Sequence, residues 1–153
     1  MTRALRIFLD ANILFSAAKS DGPIRALISR LLDGGHECWV DGYVIDEASR
    51  NITAQAAAQV PSLDALLSRM RLASHSPVTT GAAIKGLLEK DRRVVAAAAA
   101  LSCEILVTGD QTHFGNFYGQ PLHGVRIHSP RSLYELLRAR GDWPLRVWSG
   151  SAR

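Results

Sequence analysis

The stretch LRIFLDANILFSA, Leu5 to Ala17, decides how the chain is read. Leu5, Ile7 and Leu9 alternate with Arg6 and Phe8, so residues 5–9 read as a buried strand that ends where polar residues begin. Asp10 then stands at the strand's carboxyl end. In an open parallel α/β sheet that edge is where ligands bind, because the crevice opens there and the following helix N-termini converge on it. Asn12, two residues on, can hydrogen-bond a carboxylate without adding charge. Taken alone, Asp10 reads better as the N-cap of a helix beginning near Ile13.

Outward from this stretch, strands and helices alternate. Asp21-Gly22-Pro23 opens a helix, with proline where its missing N–H costs nothing, and Ile24, Leu27, Ile28, Leu31 and Leu32 form one apolar stripe before Gly34-Gly35 ends it. Cys38-Trp39-Val40 reads as a second strand. Asp41-Gly42 turns into a helix from about Tyr43 to Ala57, on which Val44, Glu47 and Ala48 share a face, so that Glu47 projects toward protein. Another helix starts at Pro61-Ser62 with Leu63, Leu66, Leu67 and Met70 inward, Leu72 to His75 is a candidate third strand, and Thr79 or Thr80 can cap a helix containing Ile84, Leu87 and Leu88. Lys90-Asp91-Arg92-Arg93 interrupts the apolar pattern ahead of an alanine-rich helix, Val94 to Leu101. Glu104 to Val107 is a buried strand leading into Thr108-Gly109-Asp110. Gln111 to His123 reads as a polar loop and Val125-Arg126-Ile127 as an edge strand. Ser129-Pro130 caps a last helix with Leu133, Leu136 and Leu137 inward and Arg131, Arg138 and Arg140 outward. The alternation predicts a three-layer α/β/α sandwich with a mainly parallel central sheet.

With 153 residues, 47% of them apolar, one domain is expected. No apolar run reaches the roughly 18 residues of a membrane span, and the first residues lack the core and cleavage site of a signal peptide, so a cytoplasmic protein is expected. Cys38 and Cys103 have no metal-ligand spacing and are expected to be reduced, acting as small hydrophobes. Residues 1–110 balance 12 Lys and Arg against 12 Asp and Glu, whereas residues 111–153 carry 6 Arg against 2 acids, so the net +4 rests in the last third. That asymmetry suggests a polyanionic partner, most simply nucleic acid, with a solvated tail as the ordinary alternative.

Four acids fall where one sheet edge would gather them. Asp10 and Asp110 each end a strand, Glu47 lies near the start of the helix after the second strand, and Asp91 lies at the start of the helix before the fourth. Each has an ordinary reading too: Asp10 and Asp91 as helix N-caps, Glu47 paired with Arg50, Asp110 as a turn residue. Together, four carboxylates repel one another unless protons or cations neutralise them, and oxygen-only clusters suit Mg²⁺ or Mn²⁺. A metal held this way keeps positions for phosphate oxygens and an attacking water, which is the layout of a phosphodiesterase.

LDANILFSA, Glu47 in VIDEASRNI, Asp91 in EKDRRVVAAAAA and ILVTGDQTHF, in that order and spacing, resemble the PIN-domain ribonucleases, including the VapC-like toxins of bacterial toxin–antitoxin pairs. The match spans about residues 5–117. The resemblance implies a PIN-like nuclease domain over residues 1–140, a metal-dependent endoribonuclease whose acidic site is Asp10, Glu47, Asp91 and Asp110, and support of those carboxylates by Asn12 and Thr108. It also implies an RNA substrate, an antitoxin partner and, with the same standing, a homodimer. RNA backbone would then be held by the surplus arginines Arg126, Arg131, Arg138, Arg140 and Arg146. His113 occupies a position where many family members carry a further acid or amide. It is expected to pack the loop beside Phe114, metal ligation and substrate contact being the alternatives. Residues 141–153, a basic extension with Trp143 and Trp148, go beyond the resemblance; these rings could fold back on the core, bind a partner or stack on bases.

Other classes fit less well. An aspartyl phosphatase wants a second acid two residues after the first, where this chain has Asn12; a receiver domain wants paired acids early and a later lysine; and no G-x-x-x-x-G-K loop occurs. The remaining alternative is a non-catalytic PIN-like module that binds RNA or protein.

Overall fold

A computed structural model describes residues 3–74 and 88–141. The expected helix containing Ile84 and Leu87, together with Trp143, Arg146 and Trp148, lies outside the described residues. In chain order the elements are β1 (Arg6–Leu9), α1 (Ala11–Lys19), α2 (Pro23–Asp33), β2 (Glu37–Asp41), α3 (Gly42–Gln55), a 3₁₀ turn (Ala57–Gln59), α4 (Val60–Leu67), β3 (Arg71–Ala73) and α5 (Glu89–Ala100). There follow β4 (Ile105–Val107), α6 (Gln111–Phe114), a second 3₁₀ turn (Gly115–Phe117), β5 (Pro121–Leu122), β6 (Val125–His128) and α7 (Pro130–Ala139).

The strands form one sheet in the order β3-β2-β1-β4-β6-β5, parallel throughout except for the β5–β6 pair. Parallel strands covered on both faces need continuous apolar runs, and β1 and β4 supply them: Ile7, Phe8, Leu9, Ile105, Leu106 and Val107 are all buried. The order reverses between β1 and β4, whose register pairs Leu9 with Val107. This switch point is where a parallel sheet opens a crevice at its carboxyl edge, and Asp10 and Thr108 are the first residues beyond it. Helix α1 packs against α2, α3 and α4, while α5 lies over β4 and β6, completing the three-layer α/β/α sandwich.

Local chemistry explains most boundaries. Pro23 starts α2, and Gly35 at φ 86° ends it: the Gly35 and His36 amides return to the Leu32 and Leu31 carbonyls, the two-bond closure that needs a left-handed residue. Ser129 and Ser132 cap α7 reciprocally. Cys38 and Cys103 are buried free thiols whose pKa burial pushes up to about 12, consistent with inert packing.

Three expectations need correction. The stretch 111–123 is not a plain polar loop, because Phe114 is fully buried and anchors the one-turn helix α6 and the turn after it. Nor is β6 an edge strand. It lies between β4 and β5, the latter turned back through His123 and Gly124, both at positive φ as a two-residue hairpin requires. Finally, Lys90-Asp91-Arg92-Arg93 does not precede the alanine-rich helix but forms its first turn, since α5 begins at Glu89.

Candidate functional site

Asp10 caps α1, with Oδ1 accepting from the Ala11 amide at 2.8 Å. Its Oδ2 accepts from the Thr108 hydroxyl at 2.8 Å and from the Asn12 amide at 3.3 Å. Thr108 is fully buried, and its one oxygen also accepts from Asn12 Nδ2 at 3.2 Å and from the Asp110 amide at 3.2 Å. Asn12 Oδ1 in turn accepts from the Gly109 amide at 2.8 Å. The carboxyl ends of β1 and β4 are thereby laced together by hydrogen bonds. Burial dominates at Asp10 and raises its pKa to about 6; Thr108 and Ala11 oppose the shift, and the nearby charges of Glu47 and Asp91 reinforce it.

Asp10, Glu47, Asp91 and Asp110 line one cleft of about 210 Å³, so the four acids share a single opening. Asp91 projects from the first turn of α5 and is almost wholly buried; the residue that caps α5 is Leu88, so Asp91 is no cap. Burial is again the largest influence and raises its pKa, with Asp110 adding to the effect and His113 opposing it. Asp110 caps α6 through Oδ1, which accepts from the His113 amide at 3.1 Å. Its other oxygen, Oδ2, lies 2.8 Å from His113 Nδ1.

His113 is expected from the sequence to pack the loop beside Phe114, and its ring lies against two carboxylates. Phe114 itself is fully buried, while the His113 ring nitrogen stands 3.0 Å from Asp91 Oδ2. Asp91 Oδ2 and His113 Nδ1 are both shut off from water, close enough for an ion pair, and not aligned for a hydrogen bond. One donor atom from each of Asp91, Asp110 and His113 lies within 4.8 Å of the other two. Two carboxylate oxygens and a ring nitrogen facing one another require a positive charge between them, either a proton or a metal ion, so the donor set fits a divalent cation.

Lys90, Asn51 and Phe15 line the same cleft and were not singled out from the sequence. Lys90 Nζ lies 3.3 Å from Glu47 Oε1, and it is this lysine, not Arg50, that pairs with Glu47. Asn51 follows Glu47 by one helical turn, a spacing that could have flagged it. Tyr118, from the second 3₁₀ turn's edge, donates to the Thr108 carbonyl at 3.0 Å.

The arginines expected to hold RNA lie elsewhere. None of those described lines the cleft. Arg126 donates to the Gly119 carbonyl, Arg131 pairs with Glu135 at 3.2 Å, Arg138 lies 5.9 Å from the Tyr134 ring, and Arg140 donates to the Arg3 carbonyl.

No family model and no curated protein matches the sequence. Among solved structures, a chain of VapBC2 from Rickettsia felis, bound to a DNA fragment from their promoter, superposes with a TM-score of 0.59 at 17% identity, covering 82% of this chain and 98% of that one. The fold is PIN-like. The acids of the PIN-like domain thus sit at the carboxyl edge of the sheet, on either side of its switch point.

Proposed function

We infer that this PIN-like chain is a metal-dependent endoribonuclease, with Asp10, Glu47, Asp91 and Asp110 as its catalytic acids and Mg²⁺ or Mn²⁺ as cofactor. One observation carries the reading: four carboxylates, two of them buried, line one open cleft at the sheet's switch point. Burying unneutralised carboxylates is costly, and a cation-binding site is the simplest use that offsets the cost. When bound, a divalent ion supplies charge neutralisation for the phosphate and a more acidic water. Asp91, Asp110 and His113 supply the donor atoms that would hold it. Asp10, fixed by Ala11, Thr108 and Asn12, keeps one geometry and can accept a proton from an attacking water near neutral pH. Lys90 at the mouth is placed to meet a phosphate oxygen.

The likeness to a VapBC2 chain supports the further reading of a toxin held by an antitoxin. Backbone contacts from Arg126 and Arg138, both exposed, belong to the same proposal. A non-catalytic binding module remains the second reading, favoured by the Lys90–Glu47 and His113–Asp91 pairs, which already neutralise part of the acidic charge. Cleavage of a mixed single-stranded RNA pool, with and without Mn²⁺, separates them. The wild type should cut only with metal, and Asp10→Asn should lower the rate by about 100-fold or more while binding RNA normally. Metal-independent or Asp10-independent cutting would sink the metal-dependent mechanism at these acids, and no cutting at all would sink the nuclease reading.

A further inference from the structure

We propose that His113 is a direct ligand of the bound cation and that it makes the site select Mn²⁺ and Co²⁺ over Mg²⁺. The inference rests on the cleft being a metal site, and it adds which ion that site takes. In an octahedral shell with donors about 2.1 Å from the metal, neighbouring donors stand about 3.0 Å apart. His113 Nδ1 lies 2.8 Å from Asp110 Oδ2 and 3.0 Å from Asp91 Oδ2, so the ring nitrogen stands from each oxygen at the separation of neighbouring donors in such a shell, and donor atoms of all three residues lie within 4.8 Å of one another. Asp91 Oδ2 and His113 Nδ1 are buried polar atoms with no hydrogen bond, and Asp91 is 2% exposed. Asp110 divides its oxygens between the two tasks, Oδ1 holding the His113 amide and Oδ2 facing the ring. The ring is held at this spot by the one-turn helix α6, which the buried Phe114 anchors.

Ligand chemistry then sets the preference. Mg²⁺ is hard, binds oxygen and keeps much of its water, whereas an imidazole nitrogen favours later first-row ions. The competing role for His113 is a protonated internal counter-cation for Asp91 and Asp110, and it makes the opposite prediction, because a counter-cation must leave before a metal enters.

The experiment is calorimetric titration of the full chain with MnCl₂, CoCl₂ and MgCl₂, for the wild type, His113→Ala and His113→Asp, with the visible absorbance of bound Co²⁺ as a second readout. Wild type should bind Mn²⁺ at least about tenfold more tightly than Mg²⁺, and Co²⁺ more tightly still. His113→Ala should lose about tenfold or more for Mn²⁺ and Co²⁺ but less than about threefold for Mg²⁺, and the Co²⁺ bands should shift. His113→Asp, which restores an oxygen donor at the same place, should bind Mg²⁺ well and narrow the gap between the ions. If His113→Ala binds Mn²⁺ as tightly as wild type or more tightly, the ring is a counter-cation and the proposal is wrong, while the nuclease reading stands. If the wild type binds none of the three ions, the metal-dependent reading itself falls.

Discussion

Thr108 has a single hydroxyl hydrogen and gives it to Asp10, while its oxygen takes the Asn12 amide and the Asp110 backbone N–H. Thr108→Val keeps the shape and removes the donor and acceptor together, leaving buried Asp10 Oδ2 with only the longer Asn12 contact and taking the side-chain partner from the Asp110 amide. A loss of roughly 2 kcal/mol in urea unfolding is expected, and Thr108→Ser should recover most of it. A second buried group makes stability depend on pH. His128 is 7% exposed, and burial, helped by Arg126, lowers its pKa from 6.5 to about 4. At His128 the folded state therefore binds fewer protons than the unfolded chain between those values, so its contribution to stability is lost as pH drops from about 6.5 to about 4. Asp10, whose pKa burial raises to about 6, acts in the opposite sense over the lower part of that range. The His128 share is at most about 3 kcal/mol, and the stability difference between wild type and His128→Gln should change by up to that amount across the window, with wild type losing relative to the variant as pH falls. At this scale the acids were legible because carboxylates at strand ends have a place to go. The partners of Lys90 and His113 were not, since what they touch lies on other elements: Lys90 meets Glu47 across 43 positions, and the His113 ring, though marked by its place after Asp110, meets Asp91 from a different helix.

Among the elements, the long ones followed their periodicity. Helix α2 buries Leu27, Ile28 and Leu31 as the apolar stripe requires, and α7 buries Leu133 and Leu137. The stretch from 111 to 123 did not, because a four-residue helix and a two-residue strand each span only about one period, too little for a repeat to show. Its one legible signal was Phe114 among polar neighbours. Phe114→Ala should cost about 3–5 kcal/mol, the usual range for a large buried side chain. It should also loosen α6, so metal affinity should fall along with stability. Thermal melts with and without Mn²⁺ check both effects. Unchanged metal-induced stabilisation in this variant would show that α6 does not position Asp110 and His113.

For the whole molecule, the positive surplus and the acidic cleft are separate features. The net +4 comes from the last third of the chain, whereas the cleft draws on Asp10, Glu47, Asp91 and Asp110. If RNA docks on the arginine surface, Arg126→Gln with Arg138→Gln should flatten the slope of log affinity against log salt by up to about 1.4, at about 0.7 for each phosphate contact on a single strand. Turnover at saturating RNA should stay near wild type, and an unchanged slope would remove these two arginines from the RNA-binding surface. The sheet order has a consequence for synthesis. The strands on either side of the switch point are the first and the fourth, and the acids that follow them are 100 positions apart in the chain. A nascent chain emerging from the ribosome exposes Asp10 early, yet it has no cleft until residue 110 has also cleared the exit tunnel. At about 5–20 residues per second that interval lasts roughly 5–20 s. Fragments released by premature termination before Thr108 would carry Asp10 and Glu47 without the Thr108 hydroxyl that Asp10 accepts from and without Asp110.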